Sequence, residues 1–168
     1  MGNDNVALPV HVNVNYNHKV TFARDALIAT VAVVGLYLLG EGAQFQPLQI
    51  PWYLLVVGFD VLEAVFGSAG KNYDLLFGAY LVGLGVLGAV VAAGVRRLTP
   101  DSSRSTLRLG AAGALSVVGG ISLLVAAAIL VGTSQLAPVL ITGATGLVML
   151  GVAGWLAGVL DLRHLRTA

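Results

Sequence analysis

Asp60 and Glu63 stand three residues apart inside the otherwise apolar segment 51–67. On a helix that spacing puts both carboxylates on one face. Inserting one acid at mid-membrane depth costs roughly 2.5–3.5 kcal/mol. Two acids at that depth are tolerated only when paired, protonated or facing water. Close carboxylates share protons and bind cations, so the pair is a candidate proton- or cation-handling site. The plainer reading is a polar rim near the surface, or a pair held by Arg24, Lys71 or a tyrosine hydroxyl.

Other chemistry has few bearers. There is no cysteine, so disulfides, thiolate catalysis, cysteine-ligated zinc and iron–sulfur clusters are excluded. His11, His18 and His164 all lie outside the apolar segments, so no histidine pair spans a haem within the bilayer. A tail metal site from His11 and His18 is a weak signal, and no metal or other cofactor is expected. Trp52, Tyr53, Tyr73 and Tyr80 flank apolar segments as interfacial aromatics do; a quinone or lipid pocket is the alternative. Phosphate loops, dinucleotide fingerprints, zinc-protease helices and nucleophile elbows are absent. No catalytic constellation is found, and the chain is not expected to be an enzyme.

The elements that position these residues are set by hydropathy. Residues 109–160 contain no charged side chain over 52 positions, broken only by the polar pinch at 132–135 and by Pro138. A bilayer crossing needs about 20 apolar residues, so this run holds two crossings and a turn. Of the 168 residues 57% are hydrophobic and 10% charged, against about 25% charged in soluble domains. The net charge of +1 gives no pull toward nucleic acid. The expected fold is an all-α integral membrane protein, a compact bundle of four to five transmembrane helices.

Residues 1–19 read as a polar, flexible tail, since the period-two alternation over 10–16 has no second strand to pair with. Residues 20–168 form one domain, with helices near 20–40, 51–67, 75–95, 109–131 and 137–160. Arg24 and Asp25 fall at the membrane edge of the first, where arginine snorkels to headgroups. A cleaved signal is rejected, because its polar lead would be too long and Gly40-Glu41-Gly42 is a poor cleavage site. Pro51 suits the first turn of the second helix.

Basic residues collect on cytoplasmic loops. Arg96, Arg97, Arg104 and Arg108 therefore put the 96–108 loop inside, and Arg163 and Arg166 do the same for the C-terminus. If 51–67 crosses fully, five spans leave Lys19 and Arg24 outside. If it is re-entrant or covered by the bundle, four spans place eight of the nine basic residues inside, all but Lys71. The four-span count is favoured.

Small residues recur at helix-contact spacing. Gly154 and Gly158 form a GxxxG, and Ala79/Gly83, Gly85/Ala89, Gly110/Ala114 and Ser116/Gly120 are related pairs. Such residues let helices approach closely in lipid. They serve packing within one bundle or contact with a second copy or another membrane subunit. An echo of residues 84–88 in 150–154 is ascribed to chance. The expected role is a multi-pass cell-membrane protein acting as a non-catalytic subunit, assembly factor or partner-binding bundle. The alternative is a small oligomeric transporter coupled to protons or cations through Asp60 and Glu63.

Overall fold

The computed structural model describes residues 11–98, 105–132 and 136–160, with side-chain surroundings from Lys19 onward and not for 46–48. Five α-helices follow one another: α1 (His11–Gly42), α2 (Gln46–Phe66), α3 (Tyr73–Leu98), α4 (Thr106–Gly132) and α5 (Leu136–Ala157), with a short 3-10 turn (Gly70–Asn72) before α3. All five contain a stretch long and apolar enough to cross a membrane. The chain is an all-α membrane bundle.

Two boundaries differ from the sequence reading. The helix of the first span begins at His11, so residues 11–19 belong to α1 and are not a flexible tail; 1–10 lie outside the described residues. Once a span supplies the nucleus, each further residue adds a hydrogen bond, whereas the alternating stretch offers no strand partner. The second helix starts at Gln46, so Pro47 occupies its first turn and Pro51 lies inside it. The remaining helices lengthen by one to three residues at most ends, and α5 stops at Ala157.

Helix directions follow from paired residues. Along α1 and α3, Asp25 meets Arg96, Ala29 meets Gly88, Thr30 meets Gly85 and Tyr37 meets Phe77. Numbers rise on one helix as they fall on the other, so the two are antiparallel. Arg24 with Thr106 and Ile28 with Gly110 make α1 and α4 parallel. Gly119 with Gly146 and Ser122 with Thr142 make α4 and α5 antiparallel. One end of the bundle, here the basic end, therefore gathers the start of the first span, the end of α3 and the start of α4. The far end gathers the end of α1 and the start of α3.

This arrangement decides the path of α2. It is joined to the end of α1 through 43–45 and to the start of α3 through 67–72, and both attachment points lie at the far end. Its first turns also border Ala137, Pro138 and Thr142 at the start of α5. Four helices run the length of the bundle, whereas α2 begins and ends at the same end of it. Its length and apolarity suit a crossing, but its anchors hold it against the far half of the bundle. Leu54, Leu55 and Phe59 form its buried stripe.

The core is built on close backbone approach. A Cβ at Gly113 would collide with the Gly88 carbonyl, and one at Gly85 with Thr30. At the second crossing, a Cβ added to Gly119 would lie 3.1 Å from the Gly146 carbonyl oxygen, and one added to Gly146 would lie 2.9 Å from that of Gly119. Ser122 Oγ donates to the Thr142 carbonyl at 2.6 Å, satisfying a polar group with no exposure. In lipid, packing and such bonds replace the hydrophobic drive between helices.

Candidate functional site

The two acids singled out by spacing have different surroundings. Glu63 Oε1 accepts the Ala69 backbone N–H at 2.6 Å and the Ser68 hydroxyl at 3.3 Å. The Glu63 carbonyl accepts the Gly67 N–H at 2.8 Å. Glu63 thus organises the turn leaving α2, at a helix C-terminus where Gly67 takes a φ of +99°. Asp60 is exposed and has no hydrogen-bond or ion-pair partner among the described residues. Both acids, with Asp74, lie within electrostatic range of Tyr73.

The suggested counter-ions do not reach them. Arg24 is at the basic end, where its guanidinium donates to Thr106 Oγ1. Its distance from the acids follows from the directions of the helices, which place α2 at the opposite end. Lys71 shares the far end and is exposed, but no ion pair joins it to either acid. Among the described residues, no group of three or more histidines, cysteines or acids is placed to hold a metal. His11 and His18 lie where side chains are not described, and His164 lies outside the described residues.

Beside Glu63 is a lateral groove of about 910 Å³ between the second half of α2, α3 and α4. Ligand pockets run from about 300 to 1,000 Å³, so this one is large. Leu62, Phe66, Leu84, Leu87, Leu124 and Ala128 contribute its apolar walls, and Glu63 is the charged residue on its lining. The groove exists because α2 stands off α3 and reaches it through rings. Phe59 makes edge contacts with Tyr73 and Phe77, at centroid distances of 5.3 Å. Tyr80 packs its hydroxyl against Gly58, where a Cβ would lie 2.5 Å away, and that hydroxyl has no hydrogen-bond partner.

The ionic centre of the molecule is elsewhere. Asp25 has no solvent exposure, and its Oδ2 lies 2.5 Å from Arg96 Nη2. The approach is close but off the hydrogen-bonding angle, and Asp25 Oδ1 has no partner. The sequence reading placed Asp25 with Arg24 in the headgroups. The signal for its burial is the antiparallel pairing of the first and third spans, which brings Asp25, the only acid at that end among the described residues, opposite Arg96-Arg97.

The glycines named from spacing separate into three groups. Gly85 and Gly110 sit at helix contacts, the latter 2.7 Å from Ile28 Cγ2 for an added Cβ. Gly83 and Gly120 face open space. Gly154 and Gly158 close α5: Gly158 has a φ of +66°, and the Gly154 carbonyl accepts the Val159 N–H at 2.9 Å. Spacing does not single out Gly88, Gly113, Gly119 and Gly146, although each sits where two helix backbones approach closely. No family model, curated protein or solved structure matches this chain.

Proposed function

We propose that this protein is a non-catalytic membrane subunit that binds a partner's apolar helix in the groove between α2, α3 and α4. The observation that carries this reading is the groove itself: about 910 Å³, open at the side of the bundle and walled by apolar side chains. Glu63 gives its carboxylate oxygen to the turn after α2, whereas Asp60 is exposed and shares no hydrogen-bond partner with it among the described residues, which argues against a joint acidic site and so against coupled transport. With α2 anchored at one end we favour the four-span count, and the tendency of basic residues to collect on cytoplasmic loops supports an orientation with the basic end and the 96–108 loop inside.

A photo-crosslinking residue placed at Leu87 or Leu124 tests the reading in native membranes. Both line the groove, whereas Leu147 on the exposed face of α5 serves as control. The expected result is a discrete protein adduct from the groove positions alone, abolished when Ala128→Trp fills the groove. A self-adduct would identify the partner as a second copy. Adducts of equal yield from Leu147, or proton or cation flux lost in Asp60→Asn/Glu63→Gln, would overturn it.

A further inference from the structure

The charges of this protein are segregated by the fold. Among the described residues, Glu41, Asp60, Glu63 and Asp74 lie toward the far end, and Asp25 is the one acid at the basic end. Lys71 is at the far end, whereas Lys19, Arg24, Arg96, Arg97 and Arg108 are at the other. The arginines come from three helices, α1, α3 and α4, whose axes pack about 8–10 Å apart. Among the described residues, these four arginines and Lys19 against Asp25 leave an excess of four basic side chains there.

The arrangement is fixed from inside. Asp25, without exposure, draws Arg96 to 2.5 Å. Arg24 is tied to Thr106 at the start of α4. The first turn of that 27-residue helix carries no acid, so its positive dipole end adds to the field of the arginines. Arg97 and Arg108 are exposed beside this frame. Guanidinium groups match phosphate oxygens with paired N–H donors, which a lysine ammonium does not.

We infer that this end of the bundle binds the phosphate of an anionic membrane lipid, with Arg24, Arg97 and Arg108 converging on the headgroup and Asp25 holding Arg96 beside them. The neighbours specify a lipid over a free phosphate. Leu98 is 84% exposed and Leu107 66% exposed, next to Arg97 and Arg108 respectively. Apolar surface thus adjoins these arginines, and Leu27, 66% exposed one turn inside Arg24, extends it along α1 in a way that suits acyl or prenyl chains.

The test uses the full chain purified in a neutral detergent. Retention of phosphatidylglycerol and of phosphatidylcholine with identical chains is measured by native mass spectrometry, with inorganic phosphate as competitor. Preferential, salt-sensitive retention of phosphatidylglycerol is expected. One basic residue near a membrane surface contributes about 1 kcal/mol, so Arg97→Gln and Arg108→Gln each reduce retention about fivefold. Lys71→Gln, at the far end, leaves retention unchanged. Size-exclusion profiles and thermal unfolding establish that the variants fold, as their exposed positions lead one to expect. Equal retention of the two lipids, or arginine variants that match the parent, overturns the inference. Displacement by millimolar inorganic phosphate also overturns it, because the site would then take the free anion.

Discussion

Asp25 and Arg96 come from helices that start 62 residues apart in the chain and meet at 2.5 Å, the acid without exposure and the arginine with 30%. The pair welds the first span to the third. It is asymmetric, because one partner is enclosed by protein and the other retains a route to headgroups.

The asymmetry sets unequal mutational effects. Removing one partner of a buried pair costs about 3–5 kcal/mol when the other is left enclosed, so Arg96→Ala is expected near that range. Asp25→Asn leaves a snorkelling arginine and is expected to cost less, about 1–2 kcal/mol. Unfolding midpoints in detergent measure both. Equal losses would contradict the exposure difference between the partners.

Close backbone approach predicts a split among glycines. Gly113→Ala and Gly88→Ala insert a methyl where two backbones touch and are expected to destabilise by about 1–3 kcal/mol, as overpacking does. Gly83→Ala and Gly120→Ala enter open space. They are expected to be neutral or to gain up to about 1 kcal/mol from helix propensity. Thermal unfolding of the four variants in one detergent decides between these outcomes.

Glu63 and Asp60 are expected to behave differently despite sharing a helix face. Glu63→Ala removes the acceptor of the Ala69 N–H, a charge-assisted bond with a contribution of about 1.5–3 kcal/mol. Hydrogen exchange at the Ala69 amide should accelerate by about tenfold or more, since each 1.4 kcal/mol is a factor of ten. Asp60→Asn should leave that amide and the overall stability unchanged.

The path of α2 is open to a labelling experiment, since the chain has no cysteine of its own. Gln44→Cys precedes α2 and Lys71→Cys follows it. Both are expected to react with an impermeant maleimide from the same side of the membrane, with Ser105→Cys reacting from the other. Reaction of Gln44→Cys and Lys71→Cys from opposite sides would mean that α2 crosses.

Much of the fold was legible along the chain. The charge-free run 109–160, the stop at Arg96-Arg97 and the apolar segment before Glu41 each reflect the same rule, that every backbone group in lipid is satisfied within its own helix. That rule is local, so the spans appear in sequence order with small errors at their ends. The candidate site was less legible. Spacing put Asp60 and Glu63 on one face, but the use of Glu63 depends on Ser68 and Ala69, which fold back onto it only when the turn forms. Gly85 was legible as a small residue, whereas its partner Thr30 was not, because nothing in spacing distinguishes a glycine facing a helix from one facing lipid.

The sequence by itself determined the solvent and the element type: apolar runs too long for a soluble domain can only be membrane helices, and hydropathy needs no partner to act. It also determined the skew of arginine toward the loop after the third span. Only the tertiary structure decided which helices touch, and with that three further things. Asp25 is enclosed rather than interfacial, because α1 and α3 run antiparallel and bring Arg96 to it. The second helix returns to the end it came from, because its two neighbours turn at that end. The groove beside Glu63 opens because α2 reaches α3 through aromatic rings instead of through backbone contact. Each depends on residues far apart in the chain meeting in space, which a one-dimensional pattern does not encode.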